Sequence, residues 1–442
     1  MSRSTTARER ALEIAANLRA NGYQAWLVGG CVRDLVLGRE PKDYDISTDA
    51  VPPRLIELFP GADLVGAQFG VVLIDGVEVA TFRSDHSYRD GRHPDSVVFE
   101  KDPKEDVLRR DFTINALLLD PSSTGLLTGA GAVVDYVGGL DDLRNGIIRA
   151  IGDPERRFQE DHLRMLRAIR FAARFGFQIE AGTMAAISKL HANIRRVSAE
   201  RVREEMVRIL TEGHPRRGFE LLDESGLLVE IMPEIAAMKG VEQPPEFHPE
   251  GDVWVHTMMM LDALPEQPPA TLALGVLLHD VGKPPTFRIA DRIRFDGHVE
   301  AGVKIAEDIL KRLKFSNGDI DQVLALVANH MRFARVTEMR ESTIKRFLRL
   351  PKFDEHLELH RIDCLASSGN LENYEFMKQR FEQSPPEEVR PPRLLTGRDL
   401  IAAGYEPGPQ FSKMLEAAED AQLEGRVRTR EEALKLIQAT FG

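Results

Sequence analysis

The sequence has little of what marks secreted and membrane proteins. Among its 442 residues only Cys31 and Cys364 are cysteines, too few and too far apart in sequence for a disulfide framework or a cysteine zinc site. It contains no run of 18 apolar residues, and its N-terminal segment lacks the apolar stretch of a signal peptide. These absences predict a cytoplasmic protein in a reducing environment, with no membrane partner.

Internal repeats and low-complexity tracts are also absent, so ordinary globular domains are expected. The length is about three times that of a typical domain of roughly 150 residues, which predicts two to four domains. A net charge of −12, taken alone, argues against nucleic acid as a partner. However, the charge is uneven, because residues 144–217 hold 16 basic and 9 acidic residues while both flanking segments are acidic. This basic segment is the candidate surface for a phosphate-rich ligand.

The spacing of apolar residues separates the chain into two parts. The first 140 residues alternate helices with strands, and the remainder is almost entirely helical. The polar stretch 85–106, rich in Gly, Pro and Asp, is expected to be a mobile loop. In the first part we expect helices at 7–20, 31–37 and 53–59, and strands at 24–29, 43–47, 70–75 and 77–82, the last two joined as a hairpin.

The first part contains a glycine turn and a pair of carboxylates. Gly29 and Gly30 stand between a predicted strand and a predicted helix, where backbone N–H groups can bind a phosphate. Asp43 and Asp45 lie two residues apart on the next predicted strand and therefore on one face. Each feature alone has an ordinary explanation, a tight turn and a solvated strand end. Together they match the layout of Mg²⁺-dependent phosphoryl or nucleotidyl transfer.

Seven segments, in chain order, resemble the bacterial tRNA nucleotidyltransferase and poly(A) polymerase family, the class II CCA-adding enzymes. The resemblance implies an α+β fold with a small polymerase-β-like nucleotidyltransferase head, followed by an all-α neck, body and tail. The segments are LVGGCVRD (27–34), KDYDIST (42–48), VATFRSD (79–85), YRDGRHPDSVVF (88–99), RRDFTINAL (109–117), the long segment 138–177 and LLTGRDLIAAGYEPGPQF (394–411).

The resemblance also implies roles for individual residues of the head. It assigns Asp43 and Asp45 to Mg²⁺ and to catalysis, and it assigns Gly30, Arg33 and Arg110 to the nucleotide. For the base that accepts the proton of the RNA 3′-hydroxyl, Asp111 is the first candidate and Glu78 the second. Without the surrounding motifs, Arg109 and Arg110 would be read equally well as a solvated basic pair at a helix end.

The predicted helix 159–175 carries charged residues at steps of three, which places them on one side. Cytosine and adenine both present an amino donor beside a ring-nitrogen acceptor, whereas uracil and guanine present a carbonyl beside an N–H. An Asp acceptor next to an Arg donor fits the first pair of bases, and in the related family this motif selects CTP and ATP. The alternative is a solvated basic face. The residues of this stripe are Asp161, Arg164, Arg167 and Arg170.

A series of histidines and aspartates follows in the helical part. Adjacent His279 and Asp280, with ligands from other helices, resemble the HD phosphohydrolase superfamily, in which such residues bind one or two divalent metals. Lys283 is a candidate phosphate contact. A retained scaffold without hydrolytic activity is the alternative. The candidate metal ligands are His256, His279, Asp280, His298, His330 and Asp363.

The sequence thus predicts a CCA-adding enzyme that transfers CMP, CMP and AMP from CTP and ATP to a tRNA 3′ end, with Mg²⁺ in the head and a divalent metal in the HD domain. The resemblance implies that members of the family that add only cytidines have a shortened region here, so the presence of the stretch 85–106, with Arg89, Asp90 and Arg92, favours adenosine addition. The alternatives are an A-adding enzyme or poly(A) polymerase, and an HD phosphohydrolase with a regulatory head. The expected domains are a head at 1–140, a base-selecting and RNA-binding neck at 141–230, an HD domain at 231–383 and an RNA-binding tail at 384–442.

Overall fold

The computed structural model of the protein describes residues 6–63, 70–88, 94–123, 133–246 and 248–441. Contacts divide the chain into two compact units, Met1–Pro233 and Glu234–Gly442. Within the described ranges, every helix is too short or too polar to cross a lipid bilayer. Arg89 and Arg92, named above for adenosine addition, lie outside the described residues, as does Asp90.

The first unit is built on a six-stranded sheet with the strand order β3-β4-β2-β1-β7-β8. Only β2 and β4 pair in parallel, and the other neighbours are antiparallel. Together with the helical remainder, this mixed sheet confirms the predicted α+β class. The strands of the sheet are β1 (Ala25–Val28), β2 (Asp45–Thr48), β3 (Val71–Ile74), β4 (Val77–Thr81), β7 (Leu118–Leu119) and β8 (Val133–Val134).

The register of β1 and β2 brings the predicted glycine turn and carboxylates to one edge of the sheet. Val28, the last residue of β1, pairs with Asp45, the first residue of β2. Gly29 follows Val28 with φ 74° and ψ −132°, a conformation that side chains disfavour. One prediction is wrong here: Asp43 precedes β2 and is exposed, so the two aspartates do not share a strand face.

The expected mobile loop at 85–106 contains regular structure. β5 (Arg83–Tyr88) and β6 (Pro94–Phe99) form an antiparallel ribbon, and α4 (Pro103–Leu108) follows it. The β-branched pair Val97–Val98 favours a strand, and Asp102 caps α4 by accepting a hydrogen bond from Lys104 N at 2.9 Å. The polar composition concealed this ribbon.

The predicted helix 159–175 is two helices, α6 (Pro154–Glu160) and α7 (Arg164–Phe175). Asp161 has extended backbone, and its carboxylate accepts the Leu163 N–H at 3.1 Å, so its side chain stabilises the turn that leads into the second helix. The placement of Asp161 on the arginine-bearing helix is therefore wrong. Apolar spacing continues across the break, which is why the sequence predicts one helix.

The rest of the first unit is helical, apart from the short parallel pair β9 (Ile147–Ile148) and β10 (Gln178–Ile179). α1 begins with a capping box between Thr6 and Glu9, the usual signature of a helix N-terminus. The other helices are α1 (Ala7–Ala20), α2 (Gly30–Val36), α3 (Pro52–Leu58), α5 (Gly139–Asn145), α8 (Ala181–Leu190), α9 (Ala199–Thr211), α10 (Pro215–Glu224) and α11 (Leu227–Ile231), with α12 (Pro233–Ala236) at the boundary of the units; short 3-10 segments lie at Thr113–Asn115, Pro121–Ser123 and His191–Arg196.

The second unit is helical, with one small hairpin of β11 (Arg288–Ile289) and β12 (Ile293–Arg294). One apolar cluster centres on Phe333, Phe347 and Phe353, and another lies within the segment 395–437. Its helices are α13 (Val253–Asp262), α14 (Ala270–Leu278), α15 (Lys283–Thr286), α16 (His298–Arg312), α17 (Asn317–Asn329), α18 (Glu341–Leu348), α19 (Phe353–Ala366), α20 (Glu372–Gln383), α21 (Pro386–Val389), α22 (Gly397–Ala402), α23 (Gln410–Leu423) and α24 (Arg430–Phe441), with a 3-10 segment at His330–Glu338.

Candidate active sites

A cavity of about 590 Å³ opens between the sheet edge and helix α7 in the first unit. One side carries carboxylates and the other carries arginines, so the cavity suits a ligand that has both cation-binding and anionic groups. Glu78, the second candidate base, is also part of the wall. The predicted site residues that line the cavity are Gly30, Arg33, Asp45, Arg110, Asp111, Asp161, Arg164, Arg167 and Arg170.

The acidic side is formed by Asp45 and Glu78. The parallel register of β2 and β4 pairs Ile46 with Val79, which places the two preceding residues, Asp45 and Glu78, side by side. Burial, repulsion from Glu78 and weaker repulsion from Asp43 raise the pKa of Asp45 to about 6, although Arg110 opposes the shift. Three carboxylates that repel one another offer only oxygen ligands, the donor set that Mg²⁺ prefers. The residues present therefore fit the predicted ion.

Arg110 faces this acidic side from the RRDFTIN segment. Its guanidinium donates hydrogen bonds to Asp106 at 3.0 Å and to Ser47 Oγ at 3.2 Å. A Cβ at Gly29 would lie 3.3 Å from Arg110 Nη1, so a side chain there would crowd the arginine as well as strain the turn. Glycine is required at this position for both reasons.

The sequence reasoning missed Asp106, which lies in α4 and is fully buried. Burial alone would raise its pKa, but Arg110 and Arg109 outweigh burial and lower it. Asp106 therefore stays ionised and holds both arginines, which are not a solvated pair. Its spacing of three and four residues from the two arginines on one helical turn was the available signal.

Arg33 is buried beneath the cavity floor, with 4% of its surface exposed. It pairs with Asp34 at 2.7 Å and donates to Asn115 Oδ1 at 2.7 Å. Its guanidinium also lies over the ring of Phe175, 4.7 Å from the centroid, a cation–π contact. These contacts hold Arg33 rigidly at the cavity that the resemblance assigns to the nucleotide.

Asp111 is held in place by three neighbours. Oδ2 accepts a hydrogen bond from Arg167 Nε at 2.8 Å, and Oδ1 accepts from Phe112 N and from Asn115 Nδ2. Although burial opposes it, the charge of Arg167 and these hydrogen bonds lower the pKa of Asp111 to about 2. A carboxylate so fully engaged is suited to orienting Arg167.

The charged stripe is paired with other elements of the first unit. Asp161 binds the guanidinium of Arg201 on α9, with oxygen–nitrogen distances of 3.2 and 2.8 Å. Arg164 donates to Glu160 at 2.8 Å. Arg170 is buried against Glu205 at 2.9 Å. The alternative of a solvated basic face is therefore wrong, and Arg201 is a residue that the sequence reasoning did not single out.

The second unit brings the six predicted HD residues together. Asp280 Oδ2 lies 3.0 Å from His279 Nε2, and Asp280 Oδ1 lies 3.8 Å from the Nε2 atoms of His298 and His330. Asp363 Oδ1 lies 3.2 Å from His256 Nε2. Two groups of ligand atoms result, one from His256, His279 and Asp363, and one from Asp280, His298 and His330.

The orientation of these histidines fits a divalent metal. Three of them, His279, His298 and His330, have Nδ1 bonded to the backbone carbonyl three residues earlier, at 2.7 to 2.9 Å. Within the part of the chain that the structure describes, the Nε2 atoms of these histidines and of His256 are buried without a well-formed hydrogen bond. Transition-metal sites typically combine imidazole and carboxylate ligands, and the imidazole nitrogen that does not bind the metal is held by a hydrogen bond, as Nδ1 is here.

The charged groups around His256 also fit a divalent metal. Burial alone would lower its pKa, but the carboxylates of Asp363 and Glu250 outweigh burial and raise the pKa of His256 to about 9. Two carboxylates thus lie against one imidazole, an arrangement that also suits a cation.

Gly282, in the segment HDVGK, sets the distance between Asp280 and α16. A Cβ at Gly282 would lie 2.0 Å from the carbonyl oxygen of His298 and 2.5 Å from the amide nitrogen of Gly302. We expect Gly282→Ala to push α16 away, to lower the free energy of unfolding of the second unit by about 1–3 kcal/mol and to weaken metal binding. Denaturant titration and metal titration would measure both effects.

Gly318→Ala is the matched control, because a Cβ there meets only Ser316 Oγ at 4.0 Å. In the helical backbone of α17, alanine should leave stability unchanged or raise it. If Gly282→Ala behaves like Gly318→Ala, the close packing of the HDVGK turn on α16 does not hold.

Comparison with known families agrees with both sites. Three family models match the chain: the poly A polymerase head domain over residues 25–149, the probable RNA and SrmB-binding site of polymerase A over 176–239, and the HD domain over 252–366. The first covers the glycine turn and the carboxylates, and the last covers the six histidine and aspartate residues. Nucleotidyltransferase and HD families are metal-dependent.

The chain also resembles curated CCA-adding enzymes. The enzyme of Lactobacillus helveticus is 40% identical over 238 residues, which are 53% of this chain and 57% of the relative. That of Lactiplantibacillus plantarum is 43% identical over 215 residues, 48% of this chain and 51% of the relative. The chain therefore matches only a little over half the length of these relatives.

Two solved structures extend the similarity to nearly the whole chain. The Bacillus stearothermophilus CCA-adding enzyme in complex with CTP has a TM-score of 0.72 at 26% identity, covering 99% of this chain and 98% of that one. The Thermotoga maritima CCA-adding enzyme complexed with tRNA has a TM-score of 0.59 at 19% identity, covering 98% and 95%. The second likeness is one of fold alone.

Proposed function

We propose, from this chain's membership of the tRNA nucleotidyltransferase and poly(A) polymerase family, that it adds CMP, CMP and AMP from CTP and ATP to a tRNA 3′ end. The observation that carries the proposal is the cavity in which Asp45 and Glu78 face Arg110, Arg164 and Arg167. The similar enzyme of B. stearothermophilus was crystallised with CTP, and a cavity of this size and charge suits a nucleoside triphosphate.

In the reaction, the RNA 3′-hydroxyl oxygen attacks the α-phosphorus. The bond between that phosphorus and the bridging oxygen to the β-phosphate breaks, and pyrophosphate leaves with the electron pair. Asp43 and Asp45 would hold Mg²⁺, which supplies charge neutralisation and acidifies the attacking hydroxyl. Arg110 and Arg33 provide rigid guanidinium donors for the phosphates, because Asp106, Asp34 and Asn115 fix their orientation.

For the proton of the attacking hydroxyl, Glu78 is better placed than Asp111, the first candidate from the sequence. Glu78 is exposed beside Asp45, so its carboxylate can reach a substrate. Asp111 is engaged by Arg167 and Asn115 and is the weaker base. We assign Asp111 the role of orienting Arg167, and Glu78 the role of proton acceptor.

An incorporation assay tests the proposal. Purified protein is incubated with Mg²⁺ and labelled tRNA lacking CCA, the same tRNA ending in CC, or an unrelated oligonucleotide, each with single nucleotides and with mixtures. Addition that stops after CCA supports the proposal. Addition of A only to the CC end identifies an A-adding enzyme, and unlimited A addition to the unrelated RNA identifies a poly(A) polymerase. No incorporation at all favours a regulatory head on an HD phosphohydrolase.

Base choice is proposed to rest on Asp161 and Arg164, with Arg201 holding Asp161. Two hydrogen bonds from Arg201 and one from Leu163 N fix the carboxylate at the cavity wall. Of the roughly four acceptor sites of a carboxylate, they leave one on Oδ2 for the amino group of cytosine or adenine. Arg164 donates to Glu160 and to the Arg157 carbonyl at 3.1 Å, which aligns its remaining N–H groups. Arg201 and Glu160 thus orient the two side chains that are proposed to contact the base.

Asp161→Ala is expected to relax base choice more than it slows the reaction. Loss of a paired hydrogen-bonding contact to a base is worth about 1–3 kcal/mol of discrimination, so the preference for CTP over UTP should fall by roughly 10- to 100-fold. Competition between labelled CTP and UTP measures this ratio. The control is Glu155→Ala on α6, whose exposed side chain pairs with Lys189. An equal fall with both nucleotides, at an unchanged ratio, would contradict the role.

For the second unit we propose metal-dependent phosphatase or 2′,3′-cyclic phosphodiesterase activity. A water oxygen would form the new bond to phosphorus, the bond to the ester oxygen would break, and the departing hydroxyl would take up a proton. The metal centre is supported by the buried imidazoles of His279 and His330, whose Nδ1 atoms are bonded to backbone carbonyls and whose Nε2 atoms lie in the cluster. Lys283 is the proposed contact for a phosphate oxygen, and its Nζ lies 2.6 Å from Asp280 Oδ2 and 2.6 Å from Gln243 Oε1. Inorganic phosphate release, or opening of a 2′,3′-cyclic end, with Mn²⁺ or Ni²⁺ present would test it.

A further inference from the structure

The segment formed by residues 240–246 and 248–252 reaches the HD cluster from outside the helices that supply most of its ligands. Its proline-containing sequence is typical of a domain boundary, but hydrogen bonds connect its first residues to its last. Gly240 N donates to Asp252 Oδ2 at 2.6 Å, and Val253 N donates to the Val241 carbonyl at 3.0 Å. Asp252 also caps α13 through Val255 N at 2.8 Å. The segment is therefore positioned by the start of the helix that carries His256.

Glu250 projects from this segment into the cluster and is buried, with its side chain 4% exposed. Its Oε1 accepts hydrogen bonds from His256 Nδ1 at 2.7 Å and from His248 Nδ1 at 2.8 Å. His279, His298 and His330 instead have their Nδ1 atoms held by backbone carbonyls. Among the six cluster residues, His256 is thus the histidine whose orientation depends on a side chain.

We propose that Glu250 is a positioning residue for the HD metal centre: it keeps the proton of His256 on Nδ1 and so directs the Nε2 lone pair at the ion. This inference rests on the metal centre proposed above and adds a residue that the HD motif does not contain. The negative charge of Glu250 also makes the His256 imidazole a stronger electron donor.

The proposal predicts an effect on one ion only. His256 belongs to the ligand group with His279 and Asp363, towards which its Nε2 lies. Its Nδ1 instead lies against Glu250, and His248, Glu250 and His256 form a third group of possible ligand atoms. Glu250 has no contact with the group formed by Asp280, His298 and His330 among the described contacts. Removing an outer carboxylate of this kind typically lowers metal affinity about 10- to 100-fold.

The test measures Mn²⁺ binding to the full chain by calorimetric titration, in a background of Asp43→Ala and Asp45→Ala so that the head contributes no site. Glu250→Ala should weaken one ion about 10- to 100-fold and leave the other within about threefold. Glu250→Gln keeps the size and an acceptor oxygen but loses the charge, so a smaller loss at the same ion is expected.

Glu355→Gln is the matched control. Glu355 is a buried carboxylate in the same unit, 4% exposed, and it accepts hydrogen bonds from Thr271 at 2.7 Å and from Gln322 at 3.3 Å. Its variant should bind both ions as the parent does. Unchanged binding in both Glu250 variants, or equal weakening of both ions, overturns the inference while leaving the metal centre intact. A parent that binds no ion in the second unit overturns the metal centre and the inference together.

Discussion

Replacing Asp45 with alanine is expected to lower nucleotide incorporation by about a thousandfold or more, since metal-assisted charge stabilisation supplies several kcal/mol of the barrier reduction in such reactions. Asp45 is the carboxylate at the start of β2, half-buried beside Glu78 and close to Arg110. Its removal takes away the central oxygen ligand and leaves the cavity with excess positive charge. Single-turnover transfer of labelled CMP to tRNA lacking CCA measures the loss.

The matched control is Glu57→Ala, an exposed carboxylate of the same unit that pairs with Arg54 on α3. It should retain full incorporation. Asp45→Asn keeps the shape of the side chain and should lose activity nearly as fully as Asp45→Ala, which separates chemistry from folding. Asp43→Ala should behave in the same way, and hydrolysis by the second unit should persist in all of these variants. Incorporation within tenfold of the parent by Asp45→Asn would refute the carboxylate assignment.

Asp280→Ala is expected to abolish hydrolysis by the second unit while leaving incorporation unchanged. One oxygen of Asp280 faces His279 and Lys283 and the other faces His298 and His330, so this carboxylate lies between both groups of ligand atoms. Its loss leaves buried Lys283 without its ion-pair partner, removes a ligand from the second group and takes a carboxylate away from His279 in the first. We expect at least about a hundredfold loss of phosphate release, comparable with the removal of a metal-site residue.

Asp280→Asn keeps the size of the side chain, and so its packing, but removes its charge. This variant should lose hydrolysis to a similar extent. The control is Asp308→Ala on the exposed side of α16, which should hydrolyse normally. Phosphate release from a 2′,3′-cyclic RNA end and CMP incorporation are measured on the same preparations. Loss of both activities in Asp280→Asn would show that the two sites are not independent.

The sequence predicted the parts of the sites that depend on local pattern. The glycine turn after the first strand and the carboxylates before the next one indicated a site at Gly30 and Asp45, and the series of His and Asp residues on helices indicated the HD residues. These signals work because the turns and helix ends that carry such residues can be recognised from short stretches of sequence. Once the predicted strands and helices have formed, these side chains lie close enough together to make the sites.

What the sequence left open depends on partners far along the chain. The pairs Asp161–Arg201 and Arg170–Glu205 join different helices, and no local spacing indicates them. The break at Asp161 was hidden because the apolar residues Phe158, Leu163 and Leu166 are buried on both sides of it. Glu250 was hidden by its proline-rich surroundings, which are typical of linkers. In each case tertiary contacts outweigh local preference.

His279 and His330 share a position that bears on the kind of ligand the HD cluster attracts. Each is the first residue after an α-helix, α14 and α17 respectively. The carboxyl ends of these two helices therefore converge on the cluster, and a helix macrodipole concentrates partial negative charge, equivalent to about half an elementary charge, at that end. The backbone itself thus favours a cation at the cluster, and the bonds from Nδ1 to a backbone carbonyl make the orientation of these two imidazoles part of the helix ends.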